Sequence, residues 1–537
     1  LRRTDAVKSL LVCYGILNAA LYASLLPLWE GFDEPFHYSY VEHMAELRSL
    51  PQLGKAHLSR EVWESLHLAP ASEAVRQHLP WVKTFGEYFR SPPDERARVR
   101  TALNGLHSSF PSGGAGWSDA ANYEAQHPPL AYALLAPAYR LLSPLSLPTR
   151  VRTLRLICGI LAVCLTAGAT FSLATGLGVS GRAQMPLVFI TLSSQMFYAT
   201  TAHVANDWLA VPLVLVVVDR CVALQRQPSV LNMALAMGAL VCGLLTKAYL
   251  LALVPAVAVA FAGIAISGRA SRGAIALVCA VGAACCVPWY ARNIALYGSL
   301  AGMQEASGGV KPLDLLRTAR RLPWGHALLR SLFEGLWSGN NSFTAFSSGT
   351  LWLVSAGLGF GCVVYVVGIA RRGWRIPAAE QVVLGCIALY GAALMYYVVL
   401  SYQVSSGAIV SSCPWYTAPL APLVLALLFR GFERMPLAEK VVVPWLVWLS
   451  AYVILATYWA KLVPLYGGFL EDRTTLAALF RWYTGSTDAI VFNLRTTALV
   501  GPGAIAAMLA GVTIAVPALA VAVTDVRHLW RSGSKRL

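Results

Sequence analysis

Apolar runs of about twenty residues, separated by short polar or basic connections, recur along nearly the whole chain. They lie near residues 7–28, 151–175, 183–200, 206–224, 229–246, 248–267, 273–291, 350–370, 379–401, 414–430, 440–461 and 498–524. A helix of that length crosses a hydrocarbon core of about 30 Å. Backbone groups in lipid must pair within their own segment, and runs this long and uniformly apolar suit helices, not barrel strands. The pattern therefore predicts an all-α polytopic membrane protein with about 12 transmembrane helices. The main interruption is a polar stretch, 29–150, that follows the first run. A short apolar run, 129–145, lies near its end behind Pro128-Pro129.

Charge decides how that short run is placed. If it lies flat at the interface, the basic connections share one side of the membrane. These are Arg2-Arg3 with Lys8, Arg182, Arg220 and Arg226, Arg269 and Arg272, Arg371-Arg372 with Arg375, Arg430 and Arg434, and the tail Arg527 to Arg536. That is a positive-inside pattern, and it collapses if 129–145 crosses instead. The reading predicts interfacial helices in a first extracytoplasmic loop, 29–150, and cytoplasmic termini. It also predicts a retained first span, since Trp29-Glu30 follows with no small-residue cleavage site. The outer face then gathers 29–150, 292–349, 402–413 and 462–497.

Composition agrees: 57% of the 537 residues are hydrophobic and 13% charged, against about 25% charged in soluble domains. The formal charge of +16 is spread between spans, which fits anionic membrane lipids and speaks against nucleic acid. Ten of the eleven cysteines fall in or beside apolar runs, and Cys413 stands by itself in an outer segment, so no disulfide framework is indicated. The expected location is a bacterial inner membrane with the site on its extracytoplasmic side; the Ala-, Leu-, Val- and Arg-rich composition gives the impression of a GC-rich host and no more than that.

Four groups of residues carry candidate chemistry. The first is Asp33-Glu34-Pro35-Phe36-His37-Tyr38, just past the first span. Pro35 suits a first helical turn and the two carboxylates suit its positive end. Phe36, Tyr40, His43 and Leu47 recur at helical spacing, with Glu42 and Glu46 on another face. A carboxylate there can take a proton from a nucleophile, and it can equally cap the helix. The second is Tyr123-Glu124-Ala125-Gln126-His127-Pro128-Pro129, which presents Glu124 and His127 ahead of the interfacial helix. The third is a set of outer-face cations, Arg152, Arg155, Lys247 and Arg292, which suit a lipid phosphate or simply snorkel to headgroups. The fourth is Asn206-Asp207, with His203 before it, which can orient substrate hydroxyls or cap a helix. There is no P-loop, dinucleotide fingerprint or HExxH, and no metal-ligand spacing. A divalent cation bridging Asp33 and Glu34 is admissible but not called for.

In this order, these motifs resemble the C-type superfamily of integral membrane glycosyltransferases, which includes protein O-mannosyltransferases and the aminoarabinose transferases of lipid A. The matching stretches are Gly31 to Tyr38, Tyr123 to Leu130, Ala205-Asn206-Asp207, Leu244 to Lys247, and Trp289 to Asn293 with Leu296-Tyr297-Gly298. The resemblance implies a catalytic module, 1–300, followed by a variable module, 301–537. It implies a polyprenyl-phosphate-linked sugar donor and a glycan, protein or lipid acceptor. The base falls on Asp33 with Glu34 beside it, and the carrier phosphate meets Arg155 or Arg152. His37, Tyr38, Glu124, His127, Asn206, Asp207, Lys247 and Arg292 fall in substrate-binding positions. The Gly-Arg-Tyr motif of many relatives reads Ser412-Cys413-Pro414-Trp415-Tyr416 here, without the arginine. A lipid or solute transporter is the rival reading. It would place its charges nearer the bilayer midplane and repeat its halves.

Overall fold

The computed structural model describes residues 2–77, 79–108, 116–301, 311–337, 339–340, 342, 346–411, 413–470 and 475–524. Leu1, Ser412 and the basic tail Arg527 to Arg536 lie outside them. Among the described residues eight helices are long and apolar enough to cross a bilayer. They are Asp5–Leu25, Leu147–Gly176, Ala248–Ile266, Arg272–Tyr297, Ser348–Ala370, Ala378–Val404, Pro436–Gly467 and Pro502–Thr524.

The expected count of about twelve is not confirmed, and local chemistry shows why. The 183–200 run is two helices, Gly181–Leu192 and Gln195–Thr201, parted at Ser193-Ser194. The Ser194 hydroxyl accepts from Phe197 N, a cap that competes with helix continuation. The 414–430 run opens as a 3-10 turn, Pro414–Thr417, and continues as Leu420–Glu433 behind Pro419. The 229–246 run forms Val230–Leu244, only 15 residues long. Asp207–Arg226 has 20 residues and is enclosed by protein on most sides, with Leu147–Gly176 and Val230–Leu244 as main neighbours.

Basic residues meet at one end of the bundle. Arg226 donates to Thr175 O, Arg269 to Gln225 O and Arg430 to Gly178 O, while Arg434 pairs with Glu380. Close approach there depends on Gly431, where a Cβ would lie 2.8 Å from the Tyr365 backbone.

The polar loop folds over the other end. Glu34–Leu47 packs along Leu130–Leu142, a 13-residue helix of about 20 Å, too short to cross. Between them lie Arg60–Leu68, Phe85–Arg90 and Pro93–Gly105. A two-stranded antiparallel sheet pairs His57–Ser59 with Trp117–Ala121. That sheet is a departure from the all-α expectation, and it orders the end of a glycine-rich stretch whose residues 109–115 lie outside those described. Glu42 is buried, not solvated: Tyr139 donates to its Oε1 at 3.1 Å, and Glu61, paired with Arg150 at 2.8 Å, lies beside it.

Candidate active site

Asp33 is the residue before the helix Glu34–Leu47, with φ 53°. That left-handed conformation is uncommon for a residue with a Cβ, and Asp tolerates it better than most. Its carboxylate does not cap the helix. It accepts from the Tyr123 hydroxyl at 2.6 Å, and Tyr123 in turn lies against Phe36 with ring centroids 4.2 Å apart. Asn122 holds this arrangement by donating to Phe36 O at 2.9 Å and accepting from Glu124 N at 3.0 Å.

The short 3-10 turn Tyr123–Gln126 then delivers Glu124 to two imidazoles. Its Oε2 lies 2.7 Å from His127 Nε2 and 3.5 Å from His37 Nδ1. His37 Nδ1 also shares a hydrogen bond of 2.8 Å with the Tyr132 hydroxyl, and Tyr40, stacked on Tyr132, donates to His127 O at 2.9 Å. Leu130 N donates to Leu245 O at 2.8 Å, which ties the helix Leu130–Leu142 to the turn that carries Lys247. Lys247 Nζ donates to Asp207 Oδ2 at 2.6 Å and sits 5.1 Å from the Tyr416 ring centroid. Trp415 beside it stacks on Phe32 at 4.1 Å.

Electrostatics separate half-buried Asp33 from buried Glu124. Burial and the neighbouring Glu124 charge raise the Asp33 pKa to about 6, against the opposing pull of Tyr123, Lys247 and His127. Burial also acts on Glu124, but the imidazoles of His37 and His127, with Lys247, outweigh it and bring that carboxyl down to about 2. Burial holds His37 down at about 3. A carboxylate poised near neutrality beside one that stays ionised is a usual acid–base arrangement.

Other predicted residues have different surroundings. Both Glu34 oxygens engage Arg155, one at 2.7 Å, and Val204 N donates to Oε1 at 3.0 Å. Arg155 also donates to Leu26 O at 2.8 Å and Pro27 O at 2.9 Å, so four of its five N–H groups are engaged within the protein. Arg152 donates to Ser24 at 3.1 Å. Tyr38 points into the Trp29–Tyr139 aromatic cluster. Arg292 donates to Pro51 O at 2.9 Å and covers the Trp289 ring, leaving Nη1 without a partner. Because Arg155 occupies Glu34, the Asp33-Glu34 pair does not fit a bridging divalent cation. Among the described residues no group of three His, Cys, Asp or Glu side chains is placed to hold a metal ion.

Tyr123, Tyr132 and Tyr416 join the site without having been given a role in it, and so does His203, noted only as the neighbour of Asn206-Asp207. Tyr123 and Tyr416 had a signal, their places in the Tyr123-to-Leu130 and Ser412-to-Tyr416 stretches; Tyr132 had none that distinguishes it from aromatic packing. Close to Tyr416, a cavity of about 390 Å³ opens between the helices, with Thr417 and Ala418 in its wall and Phe197, Val211, Leu394 and Leu446 opposite. Its lining is almost wholly apolar.

No protein-family model matches the sequence, and no curated protein matches it. Among solved structures, the chain is similar to ArnT from Cupriavidus metallidurans, crystallised with undecaprenyl phosphate. The identity is 14%, over 86% of this chain and 75% of that one, with a TM-score of 0.37. At that level of superposition the chemistry has to be argued from this site's own geometry.

Proposed function

We propose that the chain is a membrane glycosyltransferase that moves a sugar from a polyprenyl-phosphate carrier to an acceptor at the extracytoplasmic face. The observation that carries this reading is Asp33: a half-buried carboxylate, held by Tyr123 and poised at about 6, with Lys247 among the charges that act on it. The apolar cavity beside Tyr416 suits an isoprenoid tail, since ligand pockets of this kind span roughly 300–1,000 Å³. The sequence motifs point the same way.

In this mechanism Asp33 accepts the proton of the acceptor hydroxyl as its oxygen attacks the anomeric carbon. The bond from that carbon to the phosphate oxygen breaks in the same step, which inverts the configuration. The polyprenyl phosphate departs with the electron pair and needs no acid, so one base and nearby cations suffice. Those cations are Lys247 and, when protonated, His127. Arg155 acts indirectly: by fixing Glu34 it fixes the turn on which Asp33 stands.

The test is transfer from a panel of radiolabelled polyprenyl-phosphate sugars into host membrane extract. Wild type should transfer from at least one donor, and Asp33→Asn should lose about 10²- to 10⁴-fold while remaining folded. Full transfer by a well-folded Asp33→Asn would remove the base, and no transfer by wild type would remove the function.

A further inference from the structure

Between the helices Gln195–Thr201 and Asp207–Arg226 the chain makes a non-helical turn. In the turn His203 and Asn206 are buried without side-chain partners, and Asp207, which opens the next helix, is buried with one oxygen unpaired. Both ring nitrogens of His203, both amide atoms of Asn206 and Oδ1 of Asp207 have no hydrogen-bond partner, at exposures of 2%, 0% and 3%. An unsatisfied buried polar atom costs about 1–3 kcal/mol, and native proteins keep few of them. Five within five residues call for a reason. Helix capping is not that reason, because Asn206 occupies the cap position and makes no side-chain cap bond.

The turn borders both halves of the site. The His203 ring is packed so closely on Gly31 that a Cβ there would meet it at 2.7 Å, two residues from Asp33. Asp207 uses its other oxygen to hold Lys247. The unpaired set combines a carboxylate acceptor, an amide that both donates and accepts, and an imidazole that does the same. An isoprenoid tail would leave all of these unpaired, and a phosphate would meet the acceptors of Asp207 and Asn206. Neighbouring hydroxyls, each a donor and an acceptor, satisfy them.

We infer that His203, Asn206 and Asp207 form the sugar-reading edge of the site and hydrogen-bond the ring hydroxyls of the glycosyl group that is transferred. This rests on the glycosyltransferase reading. It carries a consequence that a packing role does not. Asn206→Ala removes two unsatisfied atoms and breaks no bond, so the ligand-free protein should be as stable as wild type or more so, while sugar recognition is lost.

The experiment uses the full chain in lipid nanodiscs and reads the thermal unfolding midpoint. Probes are bare undecaprenyl phosphate and the same carrier bearing mannose, glucose, galactose, N-acetylglucosamine or arabinose. Wild type should be stabilised more by at least one sugar-bearing carrier than by the bare one. His203→Ala and Asn206→Ala should keep the bare-carrier response and bind the sugar-bearing carrier about tenfold more weakly, the effect of one or two lost hydrogen bonds. Asn206→Ser serves if an alanine variant does not fold. Equal stabilisation by bare and sugar-bearing carriers in wild type, or variants that keep the difference, would overturn the inference and leave the glycosyltransferase reading intact. No response to any carrier would remove both.

Discussion

Asp33 combines two unfavourable circumstances, a left-handed backbone at φ 53° and a carboxylate half-withdrawn from water beside Glu124. Such residues persist where the surroundings over-determine them, and they cluster at functional sites. Burial and Glu124 raise its pKa from the ordinary 3.8 to about 6. The folded protein therefore binds a proton between those pH values that the unfolded chain does not, so this group's contribution to stability falls as pH rises from about 4 to about 6. Above that range the cost is of the order of 3 kcal/mol. Asn keeps an acceptor for Tyr123 without the charge. Asp33→Asn should therefore raise the unfolding midpoint near neutral pH, with the gain vanishing by about pH 4; a gain that persists at low pH would assign it to packing. The same proton governs turnover. Transfer measured as kcat/KM should rise with pH through about 6 as Asp33 ionises, since that parameter reports the free enzyme. A profile flat from pH 5 to 8 would exclude Asp33 as the base.

At the scale of elements, the site depends on how the polar loop is fastened to the spans. Arg150, in the first turn of Leu147–Gly176, donates to Glu61 at 2.8 Å and to Tyr139 at 3.2 Å, fully buried. Tyr139 lies on the helix Leu130–Leu142 and also reaches Glu42 on the helix after Asp33, so one cation joins three helices of the loop to a span. Burial and the adjacent Glu61 charge push the Glu42 carboxyl well above its usual range. Removing one partner of a buried ion pair strands the other, at about 3–5 kcal/mol. Arg150→Met should therefore loosen the loop and increase proteolysis within 29–150. Arg150→Met combined with Glu61→Leu should recover most of the loss, because no charge is left stranded. Periodicity placed Glu42 on a separate face of its helix, but the partner that buries it comes from 19 residues further on, a distance at which helical spacing carries no information.

For the whole molecule, the basic contacts at Arg226, Arg269, Arg430 and Arg434 occupy one end of the bundle and the candidate site the other. The positive-inside rule predicts that the basic end faces the cytoplasm. In a background without native cysteines, Arg98→Cys should react with an impermeant maleimide in intact cells, and Arg372→Cys only after permeabilisation. The reverse labelling would turn the protein over and put the site on the other face. The alternation of apolar runs and basic connections was enough to determine a polytopic helical protein and its long spans, because a bilayer constrains segment length and apolarity one segment at a time. The motif order likewise marked Asp33, Glu124, Asn206, Asp207 and Lys247, which lie in four separate segments. Tertiary structure decided the rest. It broke the runs at Ser193-Ser194 and Pro419, where local hydrogen bonding and proline stop a helix that hydropathy alone would continue. It committed Arg155 to Glu34 and left His203 and Asn206 unpaired, and it brought Tyr416, some 170 residues beyond Lys247, onto the same site. Which charge is spent within the protein and which remains for a ligand depends on contacts between segments far apart in the chain, and these exist only once the helices have packed.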